Sequence, residues 1–331
     1  MLQPTVHGFI PRRVLCASAL LVLFAAACGS DSGTTPPPPP PAIPNLHGIG
    51  GWTEFDLFAV GDAGTILHYQ GAKLHVMASH TTHALRDVEG INSSQAFAVG
   101  DGGTILRWDG TLWTPENSFT KVNLRSIWGS TSNDLITVGN SGIILTRSGA
   151  VWHFNDGGTT RNLNGVYALS NGEAYAVGDS GAVTHRVGAT WSVVPRFTTS
   201  KLRAVWADKP RDWFAVGDNG EIWQERGAGW IPMVSPRTDD FYSVFGSDSA
   251  FVFAAGDADS ILFYDGFDWR PKVPERVDRL EAIWATVCAL PPSPGPSPSA
   301  FHCSNTYFAG TTSVVTRFTL LGSYEVLNDP R

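Results

Sequence analysis

"FAVGDGGTILRWDGTLW", residues 97–113, reads as two short strands about a glycine turn, followed by a second turn and a tryptophan. The phrase returns along the whole chain. Gly100 has counterparts at Gly61, Gly139, Gly178, Gly217 and Gly256, each 39 further along than the last, and at Gly310, which is 54 further on. Leu46, Leu85, Leu124, Leu163, Leu202, Phe241 and Leu280 open the units at the same step. The spacing predicts seven units filling residues 46–331, with an insertion of 15 (54 less 39) between the sixth and seventh copies of the glycine. In the third unit it predicts four strands, within "LRSIWG", "LITVGN", "GIILTRSG" and the run beginning "VWHF".

Four strands in a repeat of roughly 40 residues mark a β-propeller blade, so the expected fold is all-β: a seven-bladed propeller of four-stranded antiparallel blades. The second strand supports this. Phe58, Phe97, Ile136, Tyr175, Phe214, Phe253 and Tyr307 share one face with the residues just before the marker glycine, while Ala59, Ala98, Ala176, Ala215 and Ala254 share the other. Stacked blades can then press a large face into a small one, and the terminal blades must meet to cover theirs. Thirty-five glycines and 12 tryptophans, with only 16% charged residues, agree with many short strands and tight turns.

Ahead of the repeats, Arg12 and Arg13 precede a mostly apolar run, Val14 to Ala27, too short for a confident membrane span and right for an export signal. Residues 1–27 are read as a signal peptide. Ala25, Ala26 and Ala27 before Cys28 resemble the lipobox of bacterial lipoproteins, although that family usually has Leu where Ala25 stands. The resemblance makes Cys28 the lipidated mature N-terminus, and its acyl chains a firm membrane anchor on the periplasmic or cell-surface side of a bacterial envelope. The alternatives are plain secretion after cleavage nearby and an uncleaved anchor. Residues 28–45, with six consecutive prolines, read as an extended tether reaching roughly 50 Å; a proline-motif ligand is the sharper alternative.

Losing Arg12 and Arg13 with the signal peptide, which contains no acid, takes the formal charge from −7 to −9. That balance argues against nucleic acid and against a basic lipid-binding patch. Cys16 goes with the signal peptide and Cys28 is the expected lipid site, which leaves Cys288 and Cys303, flanking the insertion "ALPPSPGPSPSAFH". In an oxidising compartment they are expected to pair, contributing about 3 kcal/mol in the chain-entropy model. The insertion is either a special contact loop or a tolerated surface addition.

Units such as "FAVGDGGTILRWDGTLW" and "YAVGDSGAVTHRVGATW" resemble the BNR or Asp-box class of propeller repeat, especially the variant in the photosystem II assembly-factor family and its bacterial lipoprotein relatives. Asp109, Gly110 and Trp113 fit the Asp-box pattern loosely, as do Asp265, Gly266 and Trp269. The same broad class includes sialidases. That resemblance implies a rival function, glycoside hydrolysis by an arginine trio, an acid/base Asp and a Tyr activated by Glu. Arg86, Arg125 and Arg203 share one repeat position, just after the opening Leu, and could face a common mouth to hold an anionic ligand or peptide terminus; the alternative is that repetition alone explains them, as partners for neighbouring turn carbonyls or acids. The other copies carry His47, Asn164, Tyr242 and Glu281 there, and the sialidase Phe/Tyr-Arg-Ile-Pro signature is absent from the mature chain.

His75, His80 and His83 suit a metal only if their link folds back, and otherwise lie in a solvated loop. Asp239, Asp240, Asp257 and Asp259 suit calcium or a polar rim. The expectation is no metal and no cofactor. Asp62, Asp101, Asn140, Asp179, Asp218 and Asp257 recur beside the marker glycine, which reads as turn chemistry: short polar side chains bonding local amides. A catalytic acid would be needed once. The sequence therefore predicts a monomeric, non-enzymatic scaffold whose faces bind protein, peptide or glycan.

Overall fold

Short runs that alternate large and small residues, each ended by a Gly-rich turn, fold into four-stranded antiparallel meanders. The computed structural model describes residues 44–272 apart from Glu54, Ala72, Ala258 and Asp259, and then the strands Leu280–Ala285, Thr306–Gly310, Val315–Phe318 and Tyr324–Leu327. The expected signal peptide, Cys28 and most of the tether lie outside the described residues. So do Cys288, Cys303 and their insertion.

Blade 1 is Leu46–Thr53, Asp56–Gly61, Ile66–Gln70 and Lys73–Met77, paired in chain order from the inner strand outward. The inner strands of blades 2 to 6 are Leu85–Asn92, Leu124–Gly129, Leu163–Ala168, Leu202–Lys209 and Phe241–Asp248. Blade 3 places its strands at Leu124–Gly129, Leu135–Gly139, Ile144–Ser148 and Val151–Asn155, close to the sequence expectation.

The expected count of seven equivalent blades is corrected. Six blades, from Leu46 to Lys272, are complete. Beyond them the four strands from Leu280 to Leu327 pair into a further sheet, but the connections that would make it an equivalent blade lie outside the described residues. The physical reason is that the pattern itself changes there. The glycine interval lengthens, and Thr311 stands where the six blades have Asp or Asn, so glycine spacing overstates the equivalence of the last copy.

The core lies between blades, as the two-faced second strand requires. Phe58, Val60 and Ile66 of blade 1 pack on Ala96, Ala98, Trp108 and Trp113 of blade 2. Ile136, Val138 and Ile144 of blade 3 meet Ala174, Ala176 and Trp191 of blade 4, and Tyr175, Val177 and Val183 meet Trp213 and Ala215 of blade 5. Each fully buried aromatic contributes about 2–3 kcal/mol. The outer-strand tryptophans, Trp113 and Trp269 among them, are therefore interblade wedges. At the other end, Trp284 of the last sheet joins Leu46, Ile49, Leu57, Ala59 and Leu67 of blade 1, and the inner strands of the two lie side by side.

The marker glycines are extended, with φ near −165° to −171° in blades 1 to 5, so their role is room rather than conformational freedom. A Cβ on Gly100 would overlap the carbonyl of Ala84, just ahead of the inner strand. That close approach lets Asp101 N donate to Ala84 O at 2.9 Å, tying the turn to the root of the inner strand. The same bond recurs from Asp62 to Asn45, from Asn140 to Asn123, from Asp179 to Asn162, from Asp218 to Lys201 and from Asp257 to Asp240.

Candidate functional site

Every inner strand begins with a register shift, between Leu85 and Asp87 in blade 2 and at the matching place in the other blades and the last sheet. A bulge of this kind leaves one residue unpaired and re-aims its side chain. The freed residues are His47, Arg86, Arg125, Asn164, Arg203, Tyr242 and Glu281, and all seven line the mouth of an axial chamber of about 510 Å³. The sequence thus brings Arg86, Arg125 and Arg203 to one opening, as their shared register predicts.

The turn residues hold this ring, which corrects the reading of Asp101 and its counterparts. Among the described residues, the side-chain oxygens of Asp62, Asp101, Asp179 and Asp218 take no hydrogen bond from the amides of their own turn. Instead Asp101 grips Arg86 with both oxygens, Nε to Oδ1 at 3.0 Å and Nη2 to Oδ2 at 2.6 Å. Asp218 accepts from Arg203 Nε at 2.6 Å, and Asp240 accepts from its Nη2 at 3.1 Å. Asp179 accepts from Asn164 at 2.9 Å, Asp257 from the Tyr242 hydroxyl at 3.0 Å, and Asp62 meets His47 at 2.7 Å. Local amide bonding falls to two other aspartates: Asp109 accepts from the amides of Thr111 and Leu112, and Asp265 from those of Phe267 and Asp268.

The three arginines are consequently unlike one another. Arg86 and Arg203 are neutralised by carboxylates, and Arg203 also lies 4.4 Å over the Tyr242 ring. Arg125 pairs with the neutral Asn140 and, among the described residues, forms no ion pair. Lys201 stands nearby, held 3.8 Å from Asp179. Burial and the charges of Arg203 and Arg125 push its pKa down against the pull of Asp179. Burial works against protonation of His47, but Glu281 and Asp62 outweigh it and raise its pKa. The cations of the mouth are therefore largely matched by acids, Arg86 by Asp101, Arg203 by Asp218 and Asp240, and Lys201 by Asp179, while Arg125 keeps only the neutral Asn140.

Below the mouth the second channel-facing layer is small: Asp87, Ser126, Gly165, Ala204, Ser243 and Ala282. Asp87 is the exception there. Its Oδ2 accepts from Ile127 N at 2.9 Å and Ser126 Oγ at 3.0 Å, and its Oδ1 from Val88 N. Burial nonetheless pushes its pKa up to about 6. The third layer is aromatic, with Trp128, Tyr167, Phe245 and Trp284, plus Glu89. These residues were missed by sequence reasoning, although the column Gly50, Glu89, Trp128, Tyr167, Trp206, Phe245 and Trp284 was there to be aligned.

The other candidates do not assemble. His75 sits on the outer strand of blade 1, and His83 Nδ1 contacts Thr104 Oγ1 at 2.9 Å. Asp239 binds Ser260 and Arg237, Asp240 binds Arg203 and the Asn219 amide, and Asp259 lies outside the described residues. Among the described residues no group of three or more His, Cys, Asp or Glu is placed to hold a metal ion.

Four-stranded antiparallel blades stacked around an axial chamber define a β-propeller. No family model and no curated protein matches the chain. Solved structures do. One described as "YCF48 bound to D1 peptide" matches with a TM-score of 0.62 and 16% identity, over 84% of this chain and 93% of that one. "YCF48 from Cyanidioschyzon merolae" matches with a TM-score of 0.65 and 16% identity, over 85% and 97%. At that identity the likeness shows a common fold.

Proposed function

We propose that the propeller is a non-catalytic scaffold that takes a protein or peptide partner at the mouth of its chamber. The observation that carries the reading is the mouth itself: a bulge in every inner strand turns seven polar side chains toward one opening, and turn carboxylates fix most of them in place. Fixed polar groups around a concavity orient a ligand at little ordering cost. Arg125, without a carboxylate partner, and Lys201 beside it form the natural seat for an acidic side chain or terminal carboxylate. A peptide on the related YCF48 fold supports the same use of a propeller.

The sialidase-like alternative loses ground at the same residues, because two of its three arginines are already occupied by Asp101, Asp218 and Asp240. Around this scaffold we place the lipid at Cys28, the proline-rich tether and the extracytoplasmic location as parts of the same proposal; glycan remains an alternative ligand class. The test is capture from the envelope fraction by wild type, Arg125→Glu and, as a remote surface control, Phe267→Ser. Loss of the same captured protein with the Arg125 variant alone is expected. Equal capture by all three would remove the mouth from the interaction, and hydrolysis of a fluorogenic sialoside would replace the scaffold by an enzyme. Deleting residues 289–302 tests the insertion, and Cys28→Ser, followed by lipid labelling and fractionation, tests the anchor.

A further inference from the structure

About 10 Å below the mouth, three residues along the inner strands at roughly 3.3 Å each, the chamber ends on a group of unusual composition. Trp128 and Tyr167 stack with ring centroids 4.2 Å apart, and Trp128 and Phe245 approach to 6.3 Å. Trp284 completes the lining, and Trp206 packs behind, 6.2 Å from Tyr167 and 6.0 Å from Phe245. Among these rings stands one carboxylate, Glu89. It is only 8% exposed, lines the chamber, and has no hydrogen-bond or ion-pair partner among the described residues. Asp87, two residues earlier on the same strand, is by contrast fully engaged by Val88, Ile127 and Ser126.

A buried carboxylate without donors is costly, and it is retained with least penalty where a ligand supplies the missing charge. The chemistry of that ligand follows from what surrounds it. An anion meets no cationic side chain at this depth, only the carboxyls of Glu89 and Asp87. A metal ion needs several oxygens, and four of the five lining groups are rings, only one of them bearing a hydroxyl. An organic cation, however, is attracted both by the faces of aromatic rings and by a carboxylate at close quarters.

We propose that the floor of the chamber binds an organic ammonium group, primary or methylated, with Glu89 as counter-ion and Trp128, Tyr167, Phe245 and Trp284 around it. The group enters by the same mouth but does not depend on the partner assigned there. Its source is either a free amine or the side chain of a lysine on a bound peptide. Burial, and then the charge of Asp87, raise the Glu89 carboxyl well above the usual range, which favours the protonated acid until a cation arrives.

The experiment is isothermal titration of the purified propeller with choline, butylammonium and N-acetyl-lysinamide, each against 3,3-dimethylbutan-1-ol, the uncharged analogue of choline. At least one ammonium probe is expected to bind, at least tenfold tighter than the neutral alcohol, and Glu89→Gln is expected to lose at least tenfold. Thermal unfolding of Glu89→Gln, expected at or above the wild-type temperature, shows that the loss is not one of folding. Tighter binding of N-acetyl-lysinamide than of choline assigns the site to a protein side chain, and the reverse assigns it to a free amine. No binding of any ammonium probe up to about 10 mM, or equal binding of the neutral alcohol, overturns the proposal. Neither result bears on the capture experiment, which reads Arg125.

Discussion

Removing Arg147 tests how strongly neighbouring blades are stitched together. Arg147, on the third strand of blade 3, donates from Nε and Nη2 to both oxygens of Glu116, on the outer strand of blade 2, at 3.0 and 2.8 Å. Its Nη1 donates to the Ser132 carbonyl, and its guanidinium lies 4.8 Å over the ring of Phe97. Glu116 also accepts from the indole of Trp152 at 2.8 Å, whereas the indole nitrogens of Trp113, Trp191 and Trp230, at the same blade position, have no hydrogen-bond partner among the described residues. The pair is 5% and 15% exposed, so removing one partner strands the other. Arg147→Met should therefore cost about 3–5 kcal/mol. At roughly 2–4 °C per kcal/mol for a domain of this order of size, the unfolding temperature should fall by about 6–20 °C.

The double variant Glu116→Gln/Arg147→Met leaves no uncompensated charge and keeps an acceptor for Trp152. It should recover most of the loss, giving a coupling of roughly 2 kcal/mol or more. Urea unfolding followed by the fluorescence of the 12 tryptophans, with circular dichroism as a second probe, measures the cycle. If Arg147→Met costs less than about 1 kcal/mol, or if the two single losses simply add, the interblade pair is not a structural element.

Three further outcomes are expected. Asp87 binds its proton more tightly in the folded chain, where its pKa is about 6, than in the unfolded chain, near 3.8. Its ionisation therefore weakens the fold by about 3 kcal/mol at neutral pH. As pH falls from about 6 to about 4, wild type should gain stability relative to Asp87→Asn, and a pH-independent difference refutes the assignment. Asp62 and Asp179, whose pKa values are held down by His47 and by Asn164 with Asn162 against the effect of burial, act in the opposite sense, and their stabilisation is lost at lower pH still. Gly100→Ala places a methyl against the Ala84 carbonyl and should cost about 2 kcal/mol or more in urea unfolding; an unchanged midpoint would show that the turn yields. Finally, alkylation and mass analysis of secreted protein should find Cys288 and Cys303 protected until reduction, and free thiols in the unreduced sample would remove the disulfide.

Repetition made the architecture legible. A turn signal such as Asp101-Gly102-Gly103 is weak alone, but its recurrence in register with Phe97 and Ala98 identifies both the blade and the faces it stacks. The shared position of Arg86, Arg125 and Arg203 was equally readable. Turn acids as their partners were an alternative from the start, but which acid meets which arginine was not readable, because the bond from Asp101 to Arg86 joins residues 15 apart whose meeting depends on a bulge and on a glycine against the Ala84 carbonyl. Local rules assign Asp101 to its own turn, and only the pairing of the first two strands sends it elsewhere. Glu89 escaped for another reason: an acid among aromatics becomes visible only when the fifth residue of every inner strand is compared. The blade count failed where the repeat loosens, around residues 273–331, since glycine spacing carries no information about the strands and loops between.

Each blade is one uninterrupted run of chain, and the first blade meets the last sheet through side chains such as Trp284 against Leu46 and Glu281 near His47. Among the described residues, no strand from blade 1 completes the sheet built from Leu280 to Leu327. Growth or loss at either terminus therefore leaves every other blade's hydrogen bonding intact, and a gene can gain or shed a copy without rewiring its neighbours. The same seam sets where the ring gives way. Amide exchange should be fastest along that junction, and a crosslink across it should slow unfolding of the entire ring.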